Sequence, residues 1–99
     1  MDILKLKKPV DINGEEVTEI KYDIDKLTGE DFEIALKQLS ERKHVVKVQE
    51  LDPMFHAALF ALAAGLCLND IMQLGAKDLA KAGLLVRNFM YMDSEDGQQ

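Results

Sequence analysis

The 99-residue sequence predicts an α+β fold, in which an N-terminal antiparallel β-hairpin packs on a small bundle of three to four α-helices. Two observations indicate this class. Apolar and polar residues alternate through the first two dozen positions, as in strands, and from residue 28 onwards the apolar residues recur at helical spacing. A chain of this length forms one domain, with the hairpin at 1–25, the helical part at 28–92 and a polar tail at 93–99.

The turn of the predicted hairpin contains Asn13 and Gly14. A loop of these two residues alone would place Leu6 opposite Lys21, an apolar side chain beside a charged one on the same face. We therefore predict a four-residue type I turn with Gly14 last, in the left-handed bulge position. Pro9 cannot donate to a ladder and marks its strand as an edge strand or a bulged one. The predicted pairs are Asp11 with Glu15, Leu6 with Ile20 and Leu4 with Tyr22.

End signals predict the helices. Thr28 is a good N-cap, and the acidic residues that follow it complement the positive end of the helix dipole. A capping aspartate followed by Pro53 begins the second helix, which Gly65 ends. A short helix and a longer one follow, separated by Gly75. Segment 40–51 is rich in valine, which favours an extended connector with room for a short strand.

Composition excludes several classes of function. Eighteen acidic and twelve basic residues give a net charge of -6, which disfavours binding to phosphate backbones, so we expect no nucleic-acid partner. The apolar stretch 54–68 is shorter than the roughly twenty residues that span a bilayer. The first residues do not resemble a signal peptide, so we expect the protein to stay in the cytoplasm. Cys67 is alone, which precludes an internal disulfide and favours a buried, inert thiol.

Residues for catalysis or metal binding are not grouped in this sequence. His44 and His56 lie in different segments, and the single cysteine does not complete a zinc-ligand spacing. The glycines stand singly at predicted turns and helix ends, without a phosphate-binding or nucleophile motif. We therefore expect neither an enzyme nor a cofactor.

The second and last helices carry more large apolar side chains than one core-facing stripe holds. On the second helix, Phe60 projects roughly 140° from the stripe that begins at Phe55. Burying a large apolar side chain contributes about 1.5–3 kcal/mol, so these extra residues should be covered. Either the other elements wrap the second helix as the centre of the fold, or part of this surface binds another chain, in self-association or around an apolar helix. The candidate partner-binding residues are Phe60, Leu84, Leu85, Tyr91 and Met92.

A series of short segments occurs in a characteristic order. A Lys-Pro pair in the opening strand precedes NGEEVTE and LTGED, and an alanine-rich helix ending in GL precedes DIMQL, KDL and a terminal NF. This ordered set, from about residue 3 to residue 89, resembles the tail assembly chaperones of Mu-like and related long-tailed bacteriophages and prophages.

The resemblance implies a small α+β protein in the cytoplasm of the bacterial host. It implies binding to the tape-measure protein, which the chaperone keeps soluble until tail-tube subunits assemble around it, without catalysis and with absence from the finished virion. Tail-tube subunits and a second copy of the chain are further candidate partners. Two alternatives stay open: a structural tail or connector subunit that remains in the particle, and a small regulatory adaptor of bacterial origin.

Overall fold

The computed structural model describes residues 2–91 and contains a two-stranded antiparallel sheet followed by four helices, which confirms the predicted α+β class. The strands are β1 (Asp2–Ile12) and β2 (Glu15–Tyr22), and the helices are α1 (Gly29–Glu41), α2 (Pro53–Ala64), α3 (Leu68–Ile71) and α4 (Ala76–Tyr91). Single 3₁₀ turns at Ile24–Lys26 and Gln49–Leu51 precede α1 and α2. The predicted polar tail, 93–99, lies outside the described residues.

The hairpin loop consists of Asn13 and Gly14 alone, and both residues have a positive φ, 55° and 84°. Positive φ at both central positions is typical of the type I′ turn, whose twist matches that of the flanking strands. Ile12 therefore lies opposite Glu15. The predicted four-residue turn and the register derived from it are wrong.

A bulge in β1 explains why a two-residue turn is compatible with an apolar core face. Four residues of β1 separate Lys5 from Val10, but a single residue separates the partners of these two on β2. Beyond the bulge, Ile20 lies opposite Leu4, whereas the predicted partner of Ile20 was Leu6. The sequence-based register assumed an unbroken first strand, whereas the extra residues shift the pairing in mid-strand. Pro9 lies within the bulge, as its missing N–H predicts.

Asp78, in the first turn of α4, connects this helix to the bulge of β1. Its carboxylate accepts hydrogen bonds from the backbone N–H of Lys7 at 2.9 and 3.0 Å and from that of Lys8 at 3.0 Å. These N–H groups lie where the ladder with β2 is interrupted, so the carboxylate supplies acceptors that a strand otherwise would. Asp78 is 2% exposed. The sequence predicted its place in the first turn but not this contact.

The helix ends confirm the predicted signals. The Asp31 carboxylate accepts a hydrogen bond from the Thr28 N–H at 2.8 Å, which fixes the start of α1. Asp52 Oδ1 accepts hydrogen bonds from two N–H groups in the first turn of α2, at 2.9 and 3.2 Å. Gly65 ends α2 with a φ of 70°.

The connector between α1 and α2 contains a 3₁₀ turn and, throughout its described length, no strand. The predicted connector is confirmed. The short strand that its valines allowed does not form, because β propensity requires a neighbouring strand to pair with and β1 and β2 pair only with each other. Val45 and Val48 are consequently exposed.

Helix α2 is the centre of the fold. It contacts the other three helices and the hairpin, and every residue from Phe55 to Ala61 is buried. Phe60 has no exposed surface, and its ring centroid lies 5.0 Å from that of Tyr22. The prediction that Phe60 belongs to a partner surface is wrong, because the hairpin covers the flank that the helical wheel left open. For α2, the interpretation in which the rest of the fold wraps this helix is confirmed.

Candidate functional site

The remaining candidate partner residues lie on different parts of α4. Leu84 is 50% exposed, while Leu85 is half-buried against the core. Tyr91 is also half-buried, and its ring centroid lies 6.2 Å from that of His56. Met92 lies outside the described residues. The structure therefore does not bring the predicted residues together in one patch. Among the described ones, Leu84 is the residue with a largely exposed side chain.

Leu84 borders an apolar groove of about 410 Å³ between α2 and α4. One side is formed by the 3₁₀ turn before α2 and by the first turns of α2 itself, and the other side is formed by α4. The lining residues are Leu51, Pro53, Met54, His56, Ala76, Leu79, Ala80, Gly83, Leu84 and Arg87. The groove is open to solvent and its lining is mostly apolar, which suits an apolar segment of another chain.

Small residues on α4 form the floor of the groove. Ala76, Ala80 and Gly83 are spaced at i, i+4 and i+7 and therefore share one face of the helix. A β-carbon added at Gly83 would lie 3.6 Å from the Cβ of His56, so α4 approaches α2 closely there. Leu79 and Leu84 project beside this floor and form its apolar sides. The small-residue spacing is visible in the sequence and is the signal that sequence reasoning missed.

His56 is a polar residue in this apolar lining. It is 3% exposed, and its Nε2 has no hydrogen-bond partner among the described residues. Burial lowers the pKa of His56, the nearby Arg87 guanidinium lowers it further, and a hydrogen bond to the backbone of Gln49 opposes both effects. The ring is consequently neutral at pH 7, with Nε2 as a free acceptor. Because this nitrogen has almost no accessible surface, it is an unsatisfied acceptor beneath the groove rather than a contact on its surface.

A second histidine contacts the cap residue of α2 outside the groove. His44 Nε2 lies 2.8 Å from Asp52 Oδ2. Partial burial raises the pKa of Asp52, but hydrogen bonds from His44 and from the N–H groups of Phe55 and Met54 outweigh it, so the net pKa is lowered. Asp52 is thus occupied as a helix cap. This pair stabilises the start of α2 and supplies no catalytic arrangement of its own.

Metal ligands and reactive groups are not brought together within residues 2–91. No group of three or more His, Cys, Asp or Glu side chains there could hold a metal ion. Cys67 is exposed, so the prediction of a buried thiol is wrong: Cys67 is the N-cap of α3, in the turn between two helices. None of the helices in this part of the chain is long and apolar enough to cross a bilayer.

A family of known proteins matches most of the chain. The family described as "Phage tail assembly chaperone proteins, E, or 41 or 14" matches residues 4–91, which include both strands and all four helices. No curated protein and no solved structure matches the chain.

Proposed function

Because this chain belongs to the family of phage tail assembly chaperones, we propose that it binds the tape-measure protein and keeps that protein soluble until the tail tube assembles. The binding is non-catalytic and reversible. It takes place in the cytoplasm of the bacterial host, and the chaperone is absent from the mature virion.

The apolar groove between α2 and α4 is the observation that carries this proposal. Tape-measure proteins are long helical chains. The apolar face of such a helix can pack into an apolar groove on a partner protein. Ala76 and Ala80 are small and exposed and therefore allow such a helix to approach, while Leu84 and Leu51 are exposed beside them. Arg87 gives the occupant a charged contact in a lining that is otherwise mostly apolar.

The size of the exposed apolar surface suits reversible binding. Full burial of a leucine contributes about 1.5–3 kcal/mol, so covering the exposed half of Leu84 contributes about 1 kcal/mol. Many contacts of this size are needed to exceed the entropic cost of association, so the net affinity is modest and the client can be released. The net charge of -6 makes separate chaperone–client complexes repel one another, which keeps them from aggregating.

Co-expression with the tape-measure protein of the same phage or prophage tests the proposal. We expect the wild-type chain to keep the tape-measure protein in the soluble fraction and to co-purify with it, because the groove covers apolar segments of the client. Leu84→Asp places a charge at the side of the groove and should abolish both effects, while circular dichroism and thermal melting show that the variant is folded.

Ile34→Asp is the matched control. Ile34 is 43% exposed on α1 and does not line the groove, so this variant should bind the client as the wild type does. Equal co-purification of the tape-measure protein with folded wild type and Leu84→Asp would refute the groove as its binding site. Retention of the chain in purified virions would instead indicate a structural tail subunit.

A further inference from the structure

The surface of α4 is basic in a protein whose net charge is -6. Lys77 and Lys81 are exposed and Arg87 is half-buried, while the single acid of this helix, Asp78, is buried in its contact with β1. The helix dipole disfavours cations in the first turns of a helix, and lysines at i and i+4 repel each other. Helix stability therefore does not account for this charge pattern.

These cations border the apolar groove. Arg87 lines it directly, and Ala80 and Leu84 form its floor and side. Residues three positions apart are neighbours on a helix surface, so Lys77 lies beside Ala80 and Lys81 beside Leu84. The rim formed by α4 is thus positively charged from Lys77 to Arg87, along about three helical turns.

We infer that the occupant of the groove is an amphipathic α-helix whose apolar stripe is bordered by glutamate or aspartate on the side that faces α4. This inference rests on the proposed function and adds the chemistry of the client. Arg87 is half-buried in the lining of the groove, and a carboxylate is the group that a guanidinium binds best. The opposite rim carries Glu50, next to Leu51, which disfavours acidic groups on that side. Because one side of the groove is basic and the other carries an acid, a client helix with acidic residues along one side should bind in one of its two possible directions.

Two synthetic helical peptides test the inference with the full chain. They share one stripe of leucine and alanine, bordered by glutamates in the first peptide and by lysines in the second. The net charge of the chain favours the lysine peptide, whereas the rim of α4 favours the glutamate peptide. We expect the glutamate peptide to bind about five- to tenfold more tightly at low ionic strength by fluorescence anisotropy, with a smaller difference in high salt.

Charge reversal identifies the residues. The double variant Lys77→Glu/Lys81→Glu should reverse the peptide preference. Lys21→Glu/Lys26→Glu makes the same change in net charge at exposed positions before α1 and should leave it unaltered. Equal binding of both peptides, a preference for lysine, or no binding of either would overturn the inference.

The tape-measure experiment separates this inference from the proposed function. If co-purification of the client depends on Leu84 but not on the two lysines of the α4 rim, the proposed function stands and the acidic client helix is rejected. Sedimentation of the chain alone addresses the other occupant. A dimer that Leu84→Asp dissociates would show that a second copy fills the groove, and would likewise overturn the inference.

Discussion

The contact between Asp78 and the bulge of β1 gives the sharpest test of how this fold is held together. Asp78→Ala removes one carboxylate that accepts three hydrogen bonds from two backbone N–H groups, those of Lys7 and Lys8. Hydrogen bonds to a charged group contribute about 1.5–3 kcal/mol each. Water can replace part of these bonds on the exposed strand, so we expect the free energy of unfolding to fall by about 2–4 kcal/mol. This is a large share of the roughly 5–15 kcal/mol by which a small domain is stable.

Urea denaturation followed by circular dichroism measures this loss, and amide hydrogen exchange locates it. The Lys7 and Lys8 amides should lose their protection in Asp78→Ala, and Asp78→Asn, which retains one acceptor oxygen, should lie between the variant and the wild type. Asp70→Ala is the control, because Asp70 occupies the first turn of α3 and should cost no more than about 1 kcal/mol through the helix dipole. An Asp78→Ala variant as stable as the wild type, with both amides still protected, would refute the reasoning.

Three further predictions concern α2 and α4. Phe60→Ala should lower the free energy of unfolding by about 3–5 kcal/mol in urea denaturation, because Phe60 is fully buried. Leu84→Ala should lower it by less than about 1 kcal/mol, because Leu84 is half exposed. Similar losses in the two variants would contradict the assignment of Phe60 to the core and of Leu84 to the groove. Gly83→Ala should raise stability by about 0.5–1 kcal/mol and increase Tm, because the added β-carbon meets its nearest neighbour at 3.6 Å and alanine favours the helix; a lower Tm would mean that α4 and α2 cannot accommodate a methyl group. The folded-state pKa of His56 lies below its ordinary value of 6.5, so the unfolded chain takes up a proton first as the pH falls. Stability should decrease below about pH 6.5, and His56→Gln should weaken this dependence between pH 7.5 and pH 5.5.

Local signals in the sequence were sufficient for the start of α1 and for both ends of α2. The cap at Thr28, the proline at the start of α2 and the glycine after it each act within one helical turn, so neighbouring residues determine them. The ordered set of short segments was sufficient for the family, which the match over residues 4–91 confirms. The Asn13-Gly14 pair also indicated a turn, although a bulge five residues away decided the register.

The groove depended on information that the sequence reasoning did not use. The helical wheel of α2 shows an apolar flank at Phe60, but it cannot show whether a hairpin or a partner covers that flank. Leu84 was included among the candidates, whereas Leu51, Met54 and Leu79 were not, because they come from three segments that meet only after folding. Tertiary packing determines which apolar faces are left open.

Sequence alone therefore determined the fold class, the family of this protein and the starts of α1 and α2, since these depend on composition, periodicity and contacts between neighbours in the chain. The tertiary structure alone decided the strand register, the burial of Phe60, the role of Asp78 and the position of the groove. Each of these depends on which distant segments approach one another, because burial and hydrogen bonding across the fold are settled by packing rather than by adjacent residues.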